Sequence, residues 1–275
     1  MVYHSYNNIM KNLLLAVDRV AFSIGDFDVY WYGLVICIGI LAAVIVASIL
    51  CKKKNLPADL PLTIALIILP TGILCGRLFA VLFDESLAIS DYFNFRTGGM
   101  SIIGAIVGGG LGLTIFCLIK KDKNPLLLFD VLCSVLLLAQ AIGRWGNYFN
   151  SEVYGQVIDS ASWFARFPFA VEIDGVYYQA LFFYEFCANL VGFFLSASIF
   201  LGTKKSGYTT AFYLIYYGTV RTILEPLRQP EYIYNVSGIA VSRLLSIIMI
   251  AVGVILLISL IIKHKKSQEV KHEKA

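Results

Sequence analysis

Charge is what this chain has least of. Asp, Glu, Lys and Arg make up only 15% of its 275 residues, against about 25% in a water-soluble domain. Histidine is scarcer still: His4, His264 and His272 all lie near the termini, so the apolar interior has no imidazole base. The six cysteines, Cys37, Cys51, Cys75, Cys117, Cys133 and Cys187, include no pair with CxxC spacing. Free buried thiols are expected, with no metal site and no cofactor. The net charge of +4 gives no basic stripe, and nothing points to nucleic acid. Met1 to Val29 lacks the basic start, short apolar core and small-residue cleavage site of a secretory leader, so none is expected. There is no convincing internal repeat.

What the chain does have is apolar length. Hydrophobic residues make up 59%, and the mean hydropathy is +0.77. A bilayer core takes about 20 apolar residues per helix. Seven runs qualify, near 31–51, 60–83, 99–119, 126–143, 180–201, 208–225 and 239–262. The expected fold is an all-α polytopic membrane protein with about seven transmembrane helices. It forms one integral membrane domain, 1–275, with a small extracytoplasmic cap at 149–178. Within the cap, strands are expected near Val171–Ile173 and Val176–Tyr178, turning at Asp174-Gly175.

The fourth run ends in an unusual stretch, Gly143-Arg144-Trp145-Gly146-Asn147-Tyr148-Phe149-Asn150-Ser151-Glu152-Val153-Tyr154-Gly155. An arginine, two amides and a carboxylate thus stand where a membrane helix meets water. A fixed charge there is costly and is usually kept for function or for pairing. The glycines allow tight turns and close backbone approach. The combination suits a lipid headgroup site better than a plain helix end.

Lysines and arginines divide the chain differently. Lysines cluster at Lys52 to Lys54, Lys120 to Lys123, Lys204 to Lys205 and from Lys263 onward, after runs one, three, five and seven. Basic flanks favour the cytoplasm, so the N-terminus is expected outside and the C-terminus inside. Only Lys11 falls on the other side. The arginines avoid those segments. Arg77, Arg144, Arg221 and Arg243 fall within or at the outer ends of runs two, four, six and seven. Guanidinium binds phosphate bidentately and tolerates partial burial, so the four are expected around one phosphate-binding cavity. The alternative is that they pair with Glu152, Glu185 and Glu225 or snorkel to the interface.

These residues resemble the bacterial prolipoprotein diacylglyceryl transferases. Gly143 to Gly155 matches that family's signature. Tyr30-Trp31-Tyr32-Gly33, Gly76-Arg77, Gly98-Gly99-Met100-Ser101 and Tyr184-Glu185 match further family segments, as does Tyr217-Gly218-Thr219-Val220-Arg221 with Glu225, Arg228 and Pro230. There are two departures. Ile103 stands where family members commonly carry a histidine, and Gln179-Ala180 stands where a histidine-proline pair usually precedes the tyrosine-glutamate pair. Ile103, four residues after Gly99, is expected on the same helix face as that glycine.

The resemblance implies transfer of the diacylglyceryl group of phosphatidylglycerol to the lipobox cysteine thiol of a preprolipoprotein, in the outer leaflet of the bacterial cell membrane. Arg144 and Arg221 would stabilise the departing phosphate. Asn147, Asn150 and Tyr32 would orient glycerol and phosphate oxygens, with Gly155, Arg77 and Gly99 beside them. Tyr217, Glu152 or the leaving phosphate would accept the thiol proton. Tyr217 and Tyr32 also fit interfacial aromatics, and Glu152 fits an ion-pair partner for Arg144. Two other functions suit an intramembrane arginine cluster: an anionic-lipid transporter or flippase, and a lipid-binding paralogue with weakened catalysis.

Overall fold

The computed structural model describes residues 19–25, 27–83, 87–94, 99–120, 124–230, 233, 235–236 and 239–272. Arg96, Gly98, Lys121, Lys123 and His4 lie outside them. Among the described residues seven α-helices follow in order: α1 (Trp31–Lys53), α2 (Leu60–Phe83), α3 (Ile102–Ile119), α4 (Pro125–Phe149), α5 (Leu181–Gly202), α6 (Tyr208–Leu224) and α7 (Val241–His272). Six of them are long and apolar enough to cross a membrane. The remaining one, α6, has 17 residues and carries Arg221. Large apolar side chains stand exposed along the helices, among them Leu41, Leu66, Leu118, Phe194 and Ile255. Apolar surface on this scale is stable only in contact with lipid. Two of the expected buried thiols, Cys37 and Cys187, are free but exposed. They lie on outward faces of α1 and α5, where an apolar solvent makes a buried position unnecessary.

The chain divides into two compact units: one of Met1–Ala43, Cys133–Thr203 and Tyr208–Ala275, the other of Val44–Leu132 and Lys204–Gly207. The second unit is built on the α2–α3 pair. Gly104, Gly108 and Gly112 repeat every four residues, on one face of α3. A Cβ on Gly108 would lie 2.3 Å from the Cys75 Cβ, and one on Gly112 would lie 2.5 Å from Thr71 Oγ1. The glycine spacing is therefore a packing device.

Among the described residues, the first unit holds three small sheets besides its helices. Strands β1 (Val20–Ile24) and β2 (Phe27–Tyr30) form a hairpin that runs directly into α1. The cap sheet has β3 (Val157–Ile158), β4 (Ala170–Ile173) and β5 (Val176–Gln179), ordered β3-β5-β4 and antiparallel. Its turn is Asp174-Gly175, with φ of 50° and 81°, the left-handed pair that a two-residue hairpin needs. A third pair joins β6 (Asn235–Val236) and β7 (Ile239–Ala240). Val171, Ala180 and Phe182 form a core with Trp145, Tyr148 and Tyr154 packed against it. That core ties the cap to the ends of α4 and α5.

Candidate active site

Helix α4 does not stop where its apolar run stops. It continues through Gly143, Arg144, Gly146 and Asn147 to Phe149. The glycine-rich stretch is thus mostly helical, and the turn comes at Asn150–Val153. Gly146 serves a close approach: a Cβ there would lie 2.7 Å from the Tyr32 ring. Extending the helix carries Arg144 to the face that meets α5. Beyond it the backbone is strained, with Ser151 at φ 53° and Val153 at φ 60°. A β-branched residue at positive φ is a genuine outlier. Glu152 sits between these two residues. Its amide donates to the Asn147 carbonyl at 3.1 Å. Its Oε1 accepts from Asn147 Nδ2 at 3.0 Å and from Asn150 Nδ2 at 3.4 Å. Glu152 is therefore partnered by the two signature amides among the described contacts, while Arg144 turns elsewhere.

Arg144 turns to Glu185, which is buried in the first turns of α5. Arg144 Nε lies 2.6 Å from Glu185 Oε2. Glu185 Oε1 receives Arg221 Nη1 at 3.2 Å and Arg228 Nη2 at 2.9 Å. Glu225 forms a second bridge, with Oε2 2.8 Å from Arg221 Nη2 and 3.8 Å from Arg228 Nε. Ser242 Oγ, at the start of α7, donates to Glu225 Oε1. The Tyr217 hydroxyl lies within electrostatic reach of Arg144, and Tyr32 is close enough to feel the charges of both Arg144 and Glu152.

The electrostatics follow from the count. Three guanidiniums share two carboxylates, leaving one positive charge in excess. Buried ion pairs add little stability over an apolar core, so this network is poorly explained as a staple. Nor is it saturated. Arg144 Nε, Arg228 Nε and Glu225 Oε2 are buried without an aligned hydrogen bond. For Arg144 the 2.6 Å approach to Glu185 is close but off-axis. Charged donors in that state can exchange their carboxylate for a phosphate oxygen.

The expected set of four arginines is therefore revised. Arg228, which is not one of those four, completes the cluster. It is brought there by the tight 3-10 turn Glu225–Leu227 and by a bridge between Gly155 and Arg228. Gly155 makes that bridge possible, since a Cβ on it would lie 2.6 Å from the Gln179 Cβ. Its part is close packing. Arg243 is exposed on α7. Arg77, in the other unit, is 1% exposed. It donates to the carbonyls of Asp91, Asn94 and Gly99, at 2.7 to 3.2 Å. Gly99, at φ 75°, thus offers its carbonyl to Arg77. Sequence reasoning held Glu185 and Glu225 as ion-pair partners within family-matching segments and gave neither a place among the site residues. The signal that both are central was Glu185 standing alone as the acid of its apolar run, and Glu225 lying four residues after Arg221.

A polytopic helical membrane protein with a buried, positively biased arginine–glutamate centre is the class that this architecture defines. Residues 19–259 match the prolipoprotein diacylglyceryl transferase family, and the chain belongs to it. It is similar to the phosphatidylglycerol–prolipoprotein diacylglyceryl transferase of Finegoldia magna, at 35% identity over 91% of this chain and 97% of that one. The protein of that name from Streptococcus uberis is 33% identical over 88% of this chain and 95% of its own. One numbered 1 in Clostridium perfringens is 35% identical over 92% and 98%.

Proposed function

We infer that this chain transfers the diacylglyceryl group of phosphatidylglycerol to a prolipoprotein, the first step of bacterial lipoprotein maturation. The single observation that carries the reading onto these residues is the unsaturated centre of Arg144, Arg221 and Arg228 around Glu185 and Glu225. The acceptor is the lipobox cysteine thiol. Its sulfur attacks the glyceryl carbon that carries the phosphate. A C–S bond forms, the C–O bond breaks, and the electron pair leaves with glycerol phosphate. Negative charge grows on that leaving group, where the surplus guanidinium charge stabilises it. Arg144 and Arg221 carry this role, and Arg228 joins them. The positive field also favours thiolate over thiol. Tyr217, within electrostatic reach of Arg144, Glu152 and the leaving phosphate are the candidate acceptors of the thiol proton. Asn147 and Asn150 hold Glu152, and Tyr32 lies within electrostatic reach of Arg144 and Glu152.

The arginine centre lies at the opposite helix ends from the lysine clusters on α5 and α7. With lysines inward, the centre opens to the outer leaflet of the cell membrane, with the N-terminus outside. A cysteine placed at Ser160 should then react with an impermeant thiol reagent in intact cells, and one at Ser206 should not. The reverse pattern rejects this orientation.

Ile103 favours a second reading, that of a relative that binds lipid without turnover. One assay separates them: purified protein, labelled phosphatidylglycerol and a lipobox peptide. Thioether product with release of glycerol phosphate establishes the transferase. Lipid binding without product establishes the other reading, and lipid movement across vesicles without product points to transport.

A further inference from the structure

Helices α4 and α5 run antiparallel in a constant register. Arg144 meets Glu185. A Cβ on Gly192 would lie 2.9 Å from Leu137 Cδ1. Ser196 Oγ donates to the Cys133 carbonyl at 2.8 Å. Each step back along α4 is matched by the same step forward along α5. The register therefore sets Gln140 opposite Asn189, one turn nearer the middle of both spans than the arginine centre. Asn189 is 1% exposed, and neither its Nδ2 nor its Oδ1 has a hydrogen-bond partner. Gln140 Oε1 is likewise buried and unpartnered. Gln140 Nε2 donates to the Tyr213 hydroxyl at 2.9 Å. The Tyr213 ring stacks on Tyr217 at 5.7 Å and 7°. Three orphaned polar atoms thus sit at one level, directly beneath the charged centre.

A buried amide without partners costs free energy and is kept where something else satisfies it. We propose that Asn189 and Gln140 form a subsite for the ester-linked glycerol backbone of a glycerophospholipid, with Asn189 donating to an acyl ester carbonyl. The proposal rests on the transferase reading for its lipid. With the phosphate at the arginines, the ester carbonyls lie a few bonds further toward the acyl chains. That reach is comparable with the rise of one helical turn, about 5.4 Å. An ester carbonyl accepts the Nδ2 hydrogen that the structure leaves unused. Gln140, anchored through Tyr213, supplies the acceptor that orients Asn189. Phosphate and ester held on adjacent turns fix the glyceryl carbon between them.

The test compares diester with diether phosphatidylglycerol, which lacks the carbonyls. Binding to the full-length purified protein is measured for wild type, Asn189→Leu and Asn189→Ala. Wild type should bind the diester about tenfold more tightly, the scale of one hydrogen bond. Asn189→Leu, near-isosteric and apolar, should bind both lipids equally. It should also melt higher than wild type without lipid, because the orphaned amide is gone. A wild type indifferent to the ester, or a variant of Asn189 that keeps the preference, overturns the subsite and leaves only a buried water. The wild-type comparison decides even if neither variant folds. Ester preference without transfer in the peptide assay leaves the subsite standing and sinks the transferase reading. Transfer without ester preference does the reverse.

Discussion

Two buried arginine sites, one in each unit, answer the same problem in opposite ways. Arg77 donates to three main-chain carbonyls that belong to the segment just after its own helix. Those carbonyls satisfy its hydrogens and cannot leave, because they are the chain itself. The contact shapes the path from α2 into α3. Arg144, Arg221 and Arg228 instead share two carboxylates from α5 and the 3-10 turn after α6. Those contacts are uneven, partly off-axis and net positive. A guanidinium held by its own backbone carbonyls reads as architecture. One held by shared, incompletely aligned carboxylates reads as a site.

The sharpest way to break this comparison is at Arg144 and Arg221. Alanine at either position should lower transfer by about a thousandfold, the scale of removing a donor to a developing anion. Folded protein should remain in the membrane. Lysine should rescue poorly, since it lacks the planar fork. Near-normal turnover of both alanine variants, at matched protein levels, would remove the leaving-group role.

Next in size is Glu185→Gln. It leaves three guanidiniums facing a neutral amide, and breaking a buried pair from one side costs about 3–5 kcal/mol. A fall in melting temperature of several degrees in detergent should be larger than that of Glu152→Gln, whose partners are neutral amides. Equal falls would show that the charged centre is not a coupled network.

Arg77→Lys should be milder and different in kind. An ammonium cannot reach three carbonyls in the guanidinium's geometry, so unpaired acceptors should cost about 1–3 kcal/mol. The loss should appear as lower thermal stability, with the KM for phosphatidylglycerol unchanged. A raised KM at unchanged stability would return Arg77 to the phosphate-binding set.

These contrasts mark where the sequence was legible. Apolar runs located the start of every described helix to within a few residues, because lipid contact is written into composition, while α4 and α7 run on past their apolar stretches. Asp174-Gly175 located the cap hairpin, because few residues accept two positive φ values in a row. Depth along a helix was legible for the arginines, but direction around it was not. Arg77, Arg221 and Arg243 look equivalent in depth, yet Arg221 faces Glu185, Arg243 is exposed, and Arg77 turns to carbonyls just after its own helix. Arg228 is missing from the four expected arginines because nothing in the sequence shows that the chain doubles back through Glu225–Leu227 and pairs with Gly155. The end of α4 was misplaced for a related reason. Glycines and polar residues usually stop a helix, but here Arg144 and Asn147 find partners that keep it going.

The smallest expected effect concerns Ile103. It lies in the first turn of α3 and is 36% exposed. Gly99 precedes that helix at φ 75°, so helical spacing does not align the two as the sequence suggested. An apolar side chain there cannot take a proton. Deprotonation of the thiol must then use Tyr217, Glu152 or the phosphate. Ile103→Ala should change the rate by less than about threefold, because truncating a partly exposed side chain removes little buried area. Ile103→His should not be required, though a modest gain is compatible with an added base. Tyr217→Phe and Glu152→Gln should each cost more. Initial rate against pH for these four variants decides the matter. A protein that is inactive with isoleucine and becomes active with histidine alone would be a relative that has lost its base, and the transferase reading would fail for this chain.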